Sequence, residues 1–578
     1  MQAALEPQSH EGAPGVVIPA VFVSPRPGLP QEAGLVALSI ENSKGTSQKI
    51  GGESRSTAER LRSIDPAVFW PALAITAGFI SWGAVAPDSL ASVTQATLSA
   101  IINGFGWGFV VSTALFLVFA GFLAISRFGK IRLGADDELP EFRTVSWVCM
   151  MFSVGMGIGL MFWGVAEPVF HFGAPPHGLA VAQSKEAALL AMKYSYFHWA
   201  LHPWAIYAIV GLAIAYFTYR KGLPILISSA FTPLLGKAVN GPIGKTIDIL
   251  AVIATLFGTA TSLGLGAQQI NSGLNFLWGT GEGTGIALAI IAVLSVLFIL
   301  SAVSGVGKGV QFLSNMNMVV AGALLLFLAI VGPTIFILNT FTEALGDYLA
   351  DLVTMSFRTA AFSDGKWLGS WTIFYWAWWV SWAPFVGVFI ARISKGRTIR
   401  EFVIGVLLIP SGVTFLWFTI MGGTALHSEL IGVGGLVEAV NNQGAAISLF
   451  ALLEQYPGTA FTSFVAIFLV AIFFISGADA ASIVMGMLSS HGTLEPARGI
   501  VVLWGVLAGA SACVLLVMGG LQGLQTASII AAAPFLVVML GLCVSLWMAL
   551  LDDLEGRSEM APALPEGGPP LANAIAAE

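Results

Sequence analysis

Long apolar runs recur along this chain, and they leave few choices of fold. We count twelve, at about 68–87, 109–126, 145–170, 194–218, 247–267, 284–304, 316–340, 370–391, 403–424, 460–486, 499–519 and 528–551. Roughly 20 apolar residues carry a helix across the hydrocarbon of a bilayer. Inside lipid every backbone N–H and C=O must find an internal partner, so spans of this length and composition are helical. Charged residues make up 10% of the 578, where a soluble domain has about 25%. The expectation is an all-α polytopic membrane protein with twelve transmembrane helices over residues 66–551.

The flanks and loops fill in the arrangement. Residues 1–65 are polar and rich in Pro, Gly and Ser, with Pro14, Pro25, Pro27 and Pro30, and read as a disordered tail without a signal peptide. Residues 552–578 form a second, acidic tail, and 343–357 read as a short amphipathic segment on the surface. With the amino terminus inside, the inner loops hold Arg127, Lys130, Arg132, Arg143, Arg220, Lys221, Lys237, Lys245, Lys308, Arg392, Lys395, Arg397, Arg400 and Arg498. The outer loops hold only Lys185, Lys193, Arg358 and Lys366. This bias predicts that both termini face the cytoplasm. Cys149, Cys513 and Cys543 lie in apolar runs and suggest neither a disulfide nor a metal site.

Within this frame 372–400 is exceptional. It carries Trp376, Trp378, Trp379 and Trp382 in mid-span and ends in Arg392, Lys395, Arg397 and Arg400. Single tryptophans in spans usually form an interfacial belt. Four together, well before the basic cluster, suit a buried cation that lacks hydrogen-bond donors, such as a quaternary ammonium. Trp378 and Trp379 share a helical face with Trp382, which Tyr375 and Trp371 extend.

Other spans carry signals of their own. The third contains Gly155, Gly157, Gly159 and Gly164 and reaches Glu167-Pro168. Such a run serves either close helix packing or an unwound break whose amides meet an anion and whose carbonyls meet a small cation. The fourth carries Trp199, Trp204 and Tyr207, with His198 and His202 as structural hydrogen-bonding residues. Asp479 is the clear in-span charge, whereas Glu167 and Asp248 read as span-end residues. Thr255, Thr259, Thr261 and Ser262 cluster in the fifth span. No phosphate-binding loop or His-Glu-x-x-His motif occurs, so neither an ATP-driven pump nor a zinc protease is indicated. A carrier with a midplane site is favoured over a channel or sensor.

The motifs GMGIG (155–159) followed by FWGVAEP, FHWALHPWAIY (197–207), FGTATSLGLG (257–266) and YWAWWVSWAPFVGVFIARISKGRTIREF (375–402) resemble the betaine/carnitine/choline transporter family. Its sodium-coupled glycine betaine carriers are the nearest in pattern. The resemblance implies a LeuT-type five-plus-five inverted repeat, about 145–340 and 370–551, after two extra spans, and a homotrimer. It implies an ammonium box of Trp199, Trp204, Tyr207 and Trp379, with Trp382 at a more external, transient position. The solute's carboxylate would meet the backbone of Gly155, Met156, Gly157, Ile158 and Gly159, with Ser262 nearby. Sodium, the coupling ion, would bind at Ser153, Met156, Phe473, Ser476 and Gly477, and at Thr255, Thr259 and Phe385. No cofactor, enzymatic activity or nucleic-acid partner is implied. Gly477 stands where sodium-coupled relatives tend to have a serine, so one hydroxyl ligand is missing. Gly159 offers no anion, which favours zwitterions over choline. Carriers of carnitine, choline or a sulfonium betaine, proton-coupled or exchanging, remain the alternatives.

Overall fold

The computed structural model describes residues 64–155, 157–304 and 307–556, without the side chains of 149, 152–155, 302–304 and 307–315. The expected tails up to 63 and from 557, the Ser153 side chain and Met156 lie outside these residues. All long elements are helices. We number them α1 (Pro66–Val85), α2 (Pro87–Ile125), α3 (Thr144–Gly155), α4 (Ile158–Gly173), α5 (Lys185–Trp199) and α6 (Leu201–Ala215). There follow α7 (Pro242–Trp278), α8 (Thr284–Ser304), α9 (Gly307–Val331) and α10 (Thr334–Ser356). The last four are α11 (Phe374–Arg392), α12 (Ile399–Ile431), α13 (Thr459–Leu488) and α14 (Arg498–Leu554). Among the described residues nine helices are long and apolar enough to cross a membrane, or ten if one bent pair counts as a single span. That number omits the interrupted pair α3 and α4, whose 12 and 16 residues are each too short alone.

Several boundaries differ from those read in the sequence: α2 starts at Pro87 rather than near 109 and α5 at Lys185 rather than near 194, and two further differences change the path of the chain. The expected span 316–340 stops at Val331, and the chain turns by 107° into α10. Pro333 has no N–H to continue the helical ladder, so the apolar run across it splits. The surface segment is therefore longer than 343–357. Its residues Asp347 and Asp351 hold Lys193 of α5 at 2.8 and 2.6 Å. The expected loop at 520–527 is also absent. α14 is interrupted only at Gly519 and Gly520, and Gly520 has φ 53° and ψ −129°, a conformation reserved for glycine. The chain doubles back there: a Cβ on Gly523 would lie 2.4 Å from the Leu515 carbonyl oxygen. Both arms end on the side of the loop after α6. Gly492, just before α14, lies against Ile225, and Tyr216 donates to the Ala549 carbonyl at 3.1 Å.

The helices sort by burial. α5 with α6, α7 and α11 are enclosed almost all round, whereas α1 and α8 turn most of their surface outward. On one side of the bundle the basic loops are tied down. Leu133 N donates to Arg397 O and Gly396 N to Leu133 O, both at 2.8 Å, so the loop after α2 pairs with the loop after α11. The Arg397 guanidinium stands 4.0 Å above the Trp147 ring and donates to Phe142 O. The Arg397 cation is thereby spent on fixed partners rather than on solvent.

The end of α14 is clamped on this side as well. Asp553 accepts from Arg220 Nε at 2.8 Å and from Lys221 at 3.1 Å, and Arg220 also reaches Asp136 at 2.8 Å. The Asp553 carboxylate is nearly buried. Removing one member of such a pair leaves an uncompensated charge. We expect Asp553→Asn to cost about 2 kcal/mol, between the values for exposed and for buried pairs. Thermal unfolding in detergent checks this, and an unchanged melting curve would show that the clamp contributes nothing.

Candidate functional site

The site forms where α3 gives way to α4. Gly157 is fully extended, with φ −153° and ψ −171°, and α4 begins at Ile158. The first-turn amides of α4 and their positive end of the helix dipole lie inside the bundle rather than at its edge. A Cβ on Gly157 would meet nothing within 4 Å. A Cβ on Gly159 would lie 2.8 Å from the Trp199 ring and 3.0 Å from that of Trp378. Glycine at 159 is what lets the backbone touch the rings.

Those rings form one cluster. Trp199 meets Trp379 at 4.8 Å, Trp379 meets Tyr207 at 6.3 Å and Tyr207 meets Trp204 at 5.5 Å, all edge to face. Edge-to-face contacts set the positive edge of one ring against the negative face of the next, which fixes the rings' orientations. Trp378 stacks on Trp379 at 4.9 Å, and the i, i+4 ladder of Trp371, Tyr375 and Trp379 stacks along the rear of α11. Phe418 of α12 closes on Trp199 at 5.4 Å. The indole nitrogens of Trp378 and Trp382 are buried without a partner among the described residues, leaving donors for a carboxylate.

Trp382 lies on α11 as well. It sits one helical turn nearer Arg392 than Trp379 does, edge-on to Phe385 at 5.4 Å and against Gly258 of α7.

The hydroxyls bond back along their helices. Thr255 donates to Ala251 O at 2.8 Å, Thr259 to Thr255 O at 2.7 Å and Ser262 to Gly258 O at 3.3 Å. Each keeps its oxygen lone pairs free for an ion. Thr261 lies within bonding distance of Phe257 O at 2.9 Å and also reaches the second arm of α14, at Leu524 O and Ser528 Oγ. On α13, Ser476 donates to Ile472 O at 2.9 Å, Phe473 is buried, and a Cβ on Gly477 would meet nothing within 4 Å. α13 approaches the break where Val470, Gly266 and Ile158 meet.

Glu167 is a correction. It is not at a span end, because α4 continues to Gly173 and the residue is wholly enclosed. Trp199 Nε1 donates to its Oε2 at 2.7 Å, and the Tyr375 hydroxyl donates to the same oxygen. His198 Nδ1 lies 2.7 Å and His171 Nε2 3.2 Å from its Oε1. His198 Nε2 meets Thr372 Oγ1 at 3.0 Å, and the His198 carbonyl accepts from Trp379 Nε1 at 2.9 Å. Glu167, His171 and His198 have the donor set of a zinc site. However, the 2.7 Å separation is a hydrogen bond, shorter than the ~3.3 Å between two tetrahedral ligands at about 2.0 Å from zinc.

A family model described as betaine/carnitine/choline family transporter matches residues 67–555. The chain belongs to that family. The glycine betaine transporter OpuD of Bacillus subtilis is 50% identical over 489 residues, 84% of this chain and 94% of the relative. A probable glycine betaine transporter of Desulfitobacterium hafniense is 47% identical, covering 84% and 97%. An ectoine/hydroxyectoine transporter of Virgibacillus pantothenticus is 41% identical, covering 82% and 94%. This betaine/carnitine/choline family member is thus a multi-pass membrane transporter and not an enzyme.

Beyond the Trp371 end of the aromatic ladder lies a cavity of about 470 Å3, lined in part by His177, Lys366 and Trp367. The His177 ring lies 4.4 Å from that of Trp367, tilted by 53°. Burial, then the nearby Arg358 cation, hold the His177 pKa at about 4, so this cavity gains no charge from it at neutral pH. The contact at Gly159 has a direct consequence for variants. A side chain there first displaces Trp199, so an aspartate would do more than add an anion. We expect Gly159→Ala to weaken solute affinity about tenfold or more, measured by equilibrium binding to purified protein. Affinity equal to wild type would mean that the box tolerates a shifted Trp199.

Proposed function

We propose that this transporter imports a zwitterionic quaternary-ammonium solute, glycine betaine first, by sodium symport across a bacterial inner membrane. The observation that carries the reading is the buried ring cluster of Trp199, Trp204, Tyr207 and Trp379 standing directly against a helix break. Ring faces attract a cation that cannot donate hydrogen bonds. The α4 amides and the unpartnered indole N–H groups suit the carboxylate at the solute's other end. Two relatives named as glycine betaine transporters, at 50% and 47% identity, support the same cargo.

The finer architecture belongs to this reading. Counting α3 with α4 as one broken span and the two arms of α14 separately raises ten candidate spans to twelve. That number agrees with a five-plus-five inverted repeat behind two extra helices. Both termini then face the cytoplasm, the side on which the loops after α2 and α11 pair. A homotrimer is the assembly the family resemblance implies.

The sodium half rests on oxygen ligands. Thr255 and Thr259 offer hydroxyl lone pairs on α7, and Ser476 offers one on α13. The open space at Gly477 accommodates a further hydroxyl. Two outcomes follow. Trp379→Leu and Trp199→Leu should each weaken betaine affinity about tenfold, since one cation–π contact contributes about 0.5–2 kcal/mol. Wild-type binding in both would remove the box, and ectoine outcompeting betaine would reassign the cargo. Uptake should require sodium with weak apparent affinity, tightened by Gly477→Ser and impaired by Thr259→Ala. Full uptake with potassium in place of sodium, at fixed pH and membrane potential, would favour proton coupling or exchange.

A further inference from the structure

The ring cluster is built entirely of neutral side chains, yet it stands one indole away from an enclosed carboxylate. We propose that Glu167 supplies the negative charge behind the ammonium box. It is a positioning residue that acts through the Trp199 indole and sets the preference for a charged headgroup over a neutral one of the same shape. This rests on the quaternary-ammonium reading above.

Three routes lead from Glu167 to the box. The Trp199 indole donates to Oε2 at 2.7 Å. The Tyr375 hydroxyl donates to the same oxygen, and the Tyr375 ring stacks on Trp379 at 6.0 Å. His198 meets Oε1, and its backbone carbonyl holds the Trp379 indole. An indole N–H can only donate, so Oε2 must accept. Both histidines have tautomers that donate to Oε1. With Nδ1–H toward Glu167, His198 accepts from Thr372 at Nε2. With Nε2–H toward Glu167, His171 leaves Nδ1 as a bare lone pair, in keeping with its lack of a partner among the described residues. Four donors around two oxygens are the complement of an anion.

An indole whose N–H is given to an anion is polarised, and the density displaced into the ring deepens its negative face. Low dielectric around the cluster lets that charge be felt by a cation on the other side of the ring. The same bond fixes the ring's orientation. Trp199 is held at its N–H by Glu167 and at its far edge by Gly159, both on α4.

The test separates charge from shape. 3,3-Dimethylbutanoate has the outline of glycine betaine with a carbon in place of the ammonium nitrogen. Both are titrated against purified wild type and Glu167→Gln by calorimetry or by competition. We expect Glu167→Gln to raise the betaine Kd about tenfold or more and to leave that of the isostere within about twofold. If both ligands weaken alike, Glu167 merely holds the rings and the proposal fails. It also fails if the selectivity ratio stays at the wild-type value. Wild type that binds betaine no better than the isostere would instead sink the ammonium reading itself. Should Glu167→Gln not fold, Trp199→Phe is compared with Trp379→Phe. Both lose an indole, but only Trp199 donates to Glu167, so its variant should lose more selectivity. Equal losses overturn the proposal.

Discussion

A backbone that leaves the helical state inside a membrane has nowhere to put its polar groups except against protein or cargo. The interruption at Gly157 imposes that constraint, and the core is arranged around it. α4 starts in the interior, so its free amides need cover. α11 and α5 bring indoles against it, α7 packs Gly266 on Ile158, and α13 arrives at Val470. The most enclosed helices are those nearest the break. The peripheral ones, α1 and α8, keep the apolar surface that lipid can take.

Much of this was legible in the sequence, for identifiable reasons. Gly-x-Gly-x-Gly in an apolar run is a poor helix, and the helix does stop there. Tryptophan density on one span marked the ring cluster, because so many indoles have no use in lipid-facing positions. The basic loops were legible as one side of the bundle, though not that Leu133 and Arg397 would pair their backbones.

The misreadings share a cause: hydropathy records composition and not the path of the chain. The run over 316–340 stays apolar through Pro333, so the turn there is invisible to a window and visible only in the missing N–H. Glu167 closes an apolar window in the sequence, whereas its helix runs on to Gly173 under the cover of α11 and α12. Its importance could have been suspected from His171 four residues on, since two polar residues on one face of an apolar helix call for a common partner.

Trp199 is gripped by α4 at both ends, its far edge on Gly159 and its N–H on Glu167. The amides that begin α4 and the ring that faces them therefore cannot be adjusted separately. A tilt of this one helix carries anion-reading and cation-reading surfaces together, as a caliper carries both jaws on one beam. For the zwitterion proposed above, the spacing between its charges would then be compared with a fixed gauge. Any rocking of α4 that opens a path to either side of the membrane also loosens the hold on both ends at once.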